Sequence, residues 1–338
     1  RSACAARAGA RTPGTYRTGV EDSAVVAPAS SSGPASSTGP ASSSGPTSSG
    51  GPSGVGGDRA EEVSVRELRA LPAADSPSFP AVAAGAGAIV WFESVRGKPL
   101  TLWKAPLAAA VPARRITADA GAVRTYRSEN DLVVADGRVR WTAAGPGDST
   151  EVRSVALTGG ETEVRVQAGT WRLAGWPWLV DGVADTRGAT RLIDAVSGAS
   201  REVPGTPRAA TECGAERCRV LSIDDDGWTR IELMRPDGSD RVEVAGGDVN
   251  VELVDVAPLG RFEVYVRLGA ASELTGNAEL LVHEVATRRT VLVSPDAGSI
   301  AYRAGVLWWS AGNLDTFVRH SLDLRTVSAG SSAQNNDS

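Results

Sequence analysis

A β-rich segment recurs six times between Glu61 and Val327, and this repeat limits what the chain can fold into more than any other feature. Each unit has an aromatic or aliphatic anchor, a polar turn and a second alternating segment, and successive anchors lie 37 to 50 residues apart. The anchors are Trp91, Trp141, Trp178, Val220, Tyr265 and Trp309. No window keeps a helical apolar period for more than two turns. The sequence therefore predicts an all-β domain of repeated antiparallel sheets.

Units of this length, without helices to cover them, are typical of the blades of a β-propeller, where radial packing leaves only short edges. We therefore predict a six-bladed β-propeller over residues 61–328. The sixth unit has no outer strand of its own, and the alternation in residues 62–68 predicts that this segment supplies it by pairing with residues 317–322. A β-sandwich is the alternative, but it does not explain a sixfold repeat.

Residues 1–60 have a different composition. Prolines 28, 34, 40, 46 and 52 fall every sixth residue in a background of Ala, Ser and Gly. A tract without bulky apolar side chains cannot offset its conformational entropy by burial. We predict that residues 1–60 are a disordered arm and linker that acts as a spacer, and that residues 329–338 are a disordered tail.

The start of the sequence bears on tethering. The chain begins at Arg1 rather than Met, and we expect that an N-terminal segment has been removed or left out. Ser2 and Ala3 before Cys4 resemble the end of a bacterial lipobox, which makes Cys4 a candidate for lipidation. Arg1 stands where that motif has an aliphatic residue, so an unpaired thiol in the arm is the alternative reading of Cys4.

Cys213 and Cys218 bracket four residues between two extended segments. In a β-hairpin this spacing places two cysteines opposite each other, as a disulfide requires. A zinc site would need two further ligands, and no other Cys or His is near in sequence. We favour a hairpin disulfide over two free thiols. A disulfide would indicate an oxidising compartment outside the cytoplasm.

Several segments carry a family resemblance. Ala88–Ser94, followed by Leu102–Leu107 and Arg114–Thr117, resembles the repeat of the TolB-like propellers, which are built from WD40-like (PD40) repeats. Ala257–Tyr265 keeps the Pro, Gly and aromatic residues of that repeat, and Met234–Arg241 is similar to its turn between the third and fourth strands. The resemblance implies an exported, bacterial, usually non-enzymatic propeller that works through protein or small-ligand contacts. It carries over no catalytic residue.

Charge and composition narrow the function classes. The formal net charge is −5 and no Lys/Arg block occurs, so we expect no nucleic-acid partner. No apolar run reaches the roughly 18 residues of a membrane helix, so we expect membrane contact only through an N-terminal tether. With two histidines, imidazole catalysis has few candidates. We expect a monomer without cofactor, metal site or catalytic residue.

Two local motifs approach known sites and fail to match them. Asp224–Trp228 is similar to a calcium loop and to the Asp-box of sialidases, but both patterns lack required residues, so we interpret it as an exposed hairpin turn. His283-Glu284 begins a zincin-like pattern whose second histidine position holds Thr287. His283 and His320 occupy equivalent places in units five and six, so we interpret both as repeat positions.

Tryptophan is the residue type that could form a ligand surface. Most of the nine tryptophans fit packing positions. Trp171, Trp176 and Trp228 do not fit the anchor pattern and are the candidates for facing a ligand.

Two functions remain open. We favour a tethered binding scaffold at the cell envelope, whose partner is an envelope protein or a small ligand. The alternative is a secreted propeller enzyme that acts on glycans. Such an enzyme needs paired carboxylates in the channel, and three or more carboxylates at the channel mouth would favour it.

Overall fold

Successive hairpins account for most of the computed structural model, which describes residues 66–108, 111–181, 191–269, 272–312 and 316–328. The strands in these ranges form five antiparallel sheets. They belong to one compact unit that begins at Leu68. The predicted arm (1–60) with Cys4, the tail (329–338) and residues 61–65 lie outside the described residues.

The first two sheets are four-stranded meanders in chain order. The strands of the first are β1 (Val82–Gly85), β2 (Ala88–Glu93), β3 (Thr101–Pro106) and β4 (Arg114–Thr117). Those of the second are β5 (Val133–Ala135), β6 (Arg138–Ala144), β7 (Ser149–Ala156) and β8 (Glu163–Ala168). The turn between β5 and β6 uses Asp136 and Gly137, whose φ angles are 50° and 68°. Positive φ at both central residues matches the twist of the flanking strands.

The third and fourth sheets repeat this arrangement. The third contains β9 (Trp171–Leu173), β10 (Trp178–Asp181), β11 (Arg191–Asp194) and β12 (Ser200–Glu202). The fourth contains β13 (Ala209–Cys213), β14 (Cys218–Ile223), β15 (Thr229–Met234) and β16 (Val242–Gly247). Short helical turns occur at Ala73–Asp75, Glu129–Asp131, Pro258–Gly260 and, as α1, Ser272–Thr275. Across the described ranges we find no helix of the length and hydropathy needed to cross a membrane.

The fifth sheet has six strands and corrects the predicted blade count. Its strands are β17 (Val249–Val251), β18 (Phe262–Arg267), β19 (Ala278–Glu284), β20 (Arg289–Arg303), β21 (Val306–Ala311) and β22 (Val318–Asp323). The first part of β20 pairs with β19 and its last part pairs with β21. The chain turns inside β20, at Ser299 with a φ of 47°. The expectation of six separate blades is therefore wrong: the fifth and sixth repeat units share one sheet, and the propeller has five blades.

Buried apolar side chains join consecutive repeat units. Five clusters each take residues from two such units, and representative pairs are Phe92 with Trp141, Val152 with Leu179, Val180 with Val220, Ile231 with Tyr265 and Val264 with Leu307. The last pair packs the two halves of the fifth sheet against each other, and the other four join one sheet to the next. The Arg303 guanidinium donates a hydrogen bond of 2.7 Å to the carbonyl of Val82, which connects the end of the repeat array to its beginning. Sheets that pack face to face in sequence around a centre define a β-propeller.

The structure describes residues 66–68 of the closing strand predicted at residues 62–68, and no strand is present there. Strand β22 pairs with β21 and with no other strand in the described ranges. Leu68 instead packs beside Ile89 and Trp91 on the first blade. Leu68 lies five residues before the first helical turn, and its burial on that face removes an apolar side chain from water.

Trp141 shows how an anchor stabilises the fold. Its side chain is fully buried, its indole N–H donates to the carbonyl of Ala120 at 2.8 Å, and its ring meets Phe92 edge to face at 5.8 Å between centroids. It therefore fills the space between the first and second blades and satisfies its own polar atom.

We expect Trp141→Ala to lower the free energy of unfolding by about 3–5 kcal/mol, because it leaves a large cavity and an unpaired carbonyl. Trp228→Ala is the matched control: Trp228 is 52% exposed, so its loss should change stability by less than about 0.5 kcal/mol. Urea denaturation of both variants measures this. Equal effects would contradict the packing role assigned to the anchor.

Candidate functional site

A loop of the second blade leaves its sheet and reaches the centre of the ring. Val123 bridges Ala143 at one end of β6, whereas β5 pairs with the other end of β6. Residues 124–132 between these two points form a segment that we call the channel loop. Within it, the Asp131 carboxylate accepts the N–H groups of Tyr126 (2.8 Å) and Ser128 (3.1 Å). This capping box holds the loop as a compact turn.

The channel loop bonds to the fifth sheet, which does not neighbour its own sheet in chain order. The hydroxyl of Ser128 donates to Oδ1 of Asp255, and the N–H of Glu129 donates to Oδ2 of Asp255 at 2.8 Å. The N–H of Ala304 donates to Oε2 of Glu129 at 3.1 Å. Asp255 precedes β18 and Ala304 precedes β21, both in the fifth sheet. The loop therefore crosses the centre of the propeller.

Buried charges surround this crossing. The Arg219 guanidinium, which is 1% exposed, donates to the Glu263 carboxylate at 2.6 Å, to the Leu253 carbonyl at 2.7 Å and to Glu212. Arg172 is buried as well and donates to the Cys213 carbonyl at 3.3 Å. We define the central polar cluster as Glu129, Asp131, Arg172, Glu212, Arg219, Asp255, Glu263 and Arg303. It contains five carboxylates and three guanidinium groups.

Burial in this cluster shifts two acids strongly. The pKa of Glu129 is raised from its ordinary value near 4.5 to about 7, by burial first and by the charge of Asp255 second. The pKa of Asp131 is raised to about 6, mainly by burial, although two backbone N–H groups oppose the shift. Desolvation disfavours the charged form, so Glu129 changes its protonation state near neutral pH.

A cavity of about 250 Å³ opens beside the channel loop, between loops of the third, fourth and fifth sheets. It is lined by Glu129, Asn130, Arg172, Ala174, Gly175, residues 213–217 and residues 255–260. Three of these residues carry carboxylates: Glu129, Glu216 and Asp255. Arg172 lies at its buried end. Charged side chains thus line the buried end of the cavity, and small and apolar residues line its sides.

Two features hold the cavity walls in place. The predicted disulfide is confirmed: Cys213 and Cys218 are bonded across the β13–β14 hairpin, with 4.0 Å between Cα atoms. It closes the loop 214–217 that forms one wall. On the opposite wall, Ala257 and Leu259 have φ angles of 47° and 59°. A left-handed conformation is unfavourable for residues with a Cβ, and such strain occurs often at binding sites.

The three tryptophans proposed as ligand-facing lie elsewhere. Trp171 is buried and donates to the Ala168 carbonyl at 2.7 Å. Trp176 is half-buried beneath the guanidinium of Arg140, 4.1 Å from its ring centre. Trp228 is exposed in the turn after β14, at the far end of the fourth sheet from the cavity. None of them is among the described lining residues, and a ligand role for them stays a prediction.

The two near-miss motifs have structural explanations. Oδ1 of Asp224 accepts the N–H groups of Asp226 and Trp228, so this segment is an exposed hairpin turn as expected. The expectation that His283 and His320 are equivalent repeat positions is wrong: buried His283 in β19 lies opposite Glu263, whereas exposed His320 in β22 lies opposite the anchor Trp309. Within the described ranges no three His, Cys, Asp or Glu side chains converge as a metal site would require.

Sequence reasoning missed Glu129, Arg172 and Asp255. The Ser128–Asp131 spacing is a capping signal, and it predicts a turn at most. Asp255 lies 127 residues from Ser128, so nothing local in sequence brings the two together.

The similarities of this chain to known proteins lie in structure and are weak. No family model and no curated protein matches the sequence. Matching solved structures include the β-propeller domain of the Trilobed protease from Pyrococcus furiosus, at 10% identity and TM-score 0.49, over 73% of this chain and 83% of that chain. TolB from Acinetobacter baumannii matches at 12% identity and TM-score 0.39, over 65% of this chain and 55% of that one.

An acylaminoacyl peptidase from Pyrococcus horikoshii also matches, at 8% identity and TM-score 0.49, over 73% of this chain and 45% of that one. The chain thus spans about half the length of TolB and of this peptidase. The structural neighbours include TolB proteins and peptidases, and similarity at this level assigns neither an activity nor a partner.

The raised pKa values of Glu129 and Asp131 predict that the free energy of unfolding depends on pH. Because the pKa of Glu129 is higher in the folded chain than in the unfolded one, its contribution to stability is full below pH 4.5 and is lost as the pH rises through about 7. Asp131 acts in the same direction, up to about 6. Urea titrations at a series of pH values measure the free energy of unfolding. In Glu129→Gln it should fall less with pH than in the wild type, because only the smaller contribution of Asp131 remains. An equal fall with pH in the variant and the wild type would contradict the raised pKa of Glu129.

The disulfide predicts a thiol count. Oxidised protein denatured without reductant should show at most one reactive thiol, that of Cys4, and three after reduction. Cys218→Ser should cost only about 2 kcal/mol, because the closed loop is short. Two or three thiols before reduction would show that the bridge does not form in the purified protein.

Proposed function

We propose that this chain is an exported, non-enzymatic binding scaffold, tethered at the cell envelope, and that it binds its partner at the cavity beside the channel loop. The observation that carries the proposal is the cavity itself, which is built from a disulfide-closed loop on one side and a strained loop on the other. A preformed concave site with few polar groups is typical of ligand recognition.

Export is supported by the disulfide, since such bonds persist in oxidising compartments. Tethering is supported by the periodic Pro/Ser/Gly spacer of the sequence, whose composition suits a flexible linker. The exposed Leu259 on the cavity rim is a contact point for an envelope protein or a small ligand.

The contacts of the carboxylates favour binding over catalysis. Both oxygens of Asp255 accept hydrogen bonds from the channel loop, and Asp131 accepts two backbone N–H groups. Asp255 connects the fifth sheet to the channel loop, and Asp131 holds the channel loop together. A nucleophile or general base needs a free oxygen directed at the substrate, which such bonding opposes.

Leu259→Arg tests the binding face, because a charge at the rim would prevent an apolar contact there. We expect it to abolish cross-linking between the purified full chain and its partner in the envelope fraction of the cells that produce it. Trp228→Arg is the matched control at the far end of the fourth sheet and should leave the cross-link intact. Loss of the cross-link in both variants, or in neither, would contradict the assignment of the binding face.

A secreted glycan-processing enzyme is the second candidate, and one observation favours it. Three carboxylate residues line the cavity, and Glu129, with a pKa of about 7, has the properties of a general acid. Turnover of glycan substrates that Glu129→Gln abolishes would establish this function and overturn the scaffold. Under the scaffold proposal, neither the wild type nor the variant gives turnover.

A further inference from the structure

The central polar cluster has an excess of negative charge. Arg219 is committed to Glu212, Glu263 and the Leu253 carbonyl, Arg172 bonds to the Cys213 carbonyl, and Arg303 bonds to the Val82 carbonyl. The five carboxylates and three guanidinium groups of the cluster leave two negative charges in excess when all are ionised. The cavity wall adds Glu216 and Arg217, and Arg217 is paired with Asp240 at 2.8 Å. Uncompensated buried charge is costly, so the cluster favours either bound protons or a cation.

Glu129 belongs to this negatively charged cluster and also lines the cavity. Its described hydrogen bond uses Oε2, which accepts from Ala304, while the residue also lines the cavity. Among the described residues no hydrogen bond to Oε1 of Glu129 occurs, so one oxygen of this cavity-lining carboxylate is left for a ligand.

The walls indicate the kind of cation. Ala174, Ala215, Val256, Ala257 and Pro258 give the cavity apolar sides between its charged end and its rim. A bare metal ion would use at least three ligating side chains, and no such group occurs in the described ranges. A compact ammonium on an aliphatic stem matches both the charged end and the apolar walls of the cavity. Its stem packs on apolar surface, and its head donates three hydrogen bonds.

We propose that the cavity binds a primary alkylammonium group, with its charged head at Glu129 and Asp255 and its stem against the apolar walls. This inference rests on the proposed binding function and names its ligand chemistry. The same group occurs on a lysine side chain and at the amino terminus of a peptide, and the probes below separate these sources.

The test is calorimetric titration of the full chain with three probes. Nα-acetyl-lysine amide carries the group on a side chain, trialanine amide carries it at an amino terminus, and Nα-acetyl-norleucine amide has a neutral stem. We expect at least one amine to bind about tenfold or more tightly than the norleucine probe, and Glu129→Gln to remove that preference. Whichever amine binds more tightly identifies the source.

Glu163→Gln is the control variant, since Glu163 is an exposed carboxylate on β8. It should bind the amines as the wild type does. A second, variant-independent readout is pH: amine affinity should rise through pH 7, because ligand and proton compete for Glu129.

Equal binding of amine and norleucine probes, or no binding of either amine, would overturn the proposal even if Glu129→Gln failed to fold. If Leu259→Arg still abolishes the partner cross-link in that case, the ligand class is wrong and the binding face stands. If the cross-link does not depend on Leu259, both the alkylammonium proposal and the proposed function are wrong.

Discussion

Face-to-face packing of each sheet on the next is the constraint on which the rest of this propeller depends. Trp141 illustrates it, because one side chain fills the gap between two blades and places its only polar atom on a carbonyl. Once the apolar faces are used in this way, the inner ends of the blades converge. Those ends carry loops with unpaired backbone groups and charged side chains, so the centre of the ring is polar.

The channel loop resolves much of that polarity. Ser128 and Glu129 bond to Asp255, and Glu129 also accepts from Ala304, so a loop of the second blade connects to two loops of the fifth sheet. These bonds cost desolvation, as the raised pKa values of Glu129 and Asp131 show. The centre is therefore held together by groups that respond to pH, whereas the apolar layers between blades do not.

The cavity follows from this arrangement. It lies where the channel loop, the disulfide-closed hairpin and the strained loop at Ala257–Leu259 meet. Both oxygens of Asp255 and one oxygen of Glu129 already accept hydrogen bonds from the backbone or from Ser128, which suits recognition of a charged group better than bond cleavage. Both proposed functions use Glu129, and they differ in whether a bound amine or a reacting glycan contacts it.

Local patterns determined much of this protein. Strand alternation, glycine turns and the Cys213–Cys218 spacing each depend on residues close in sequence, and the repeated β units, their hairpins and the disulfide are present as predicted. Tertiary structure alone decided that two units share β20, because its first part pairs with β19 and its last part with β21, and both partners are set by the packing of distant strands. It also decided the cavity: Ser128 and Asp255 are 127 residues apart and meet only when the ring closes around them.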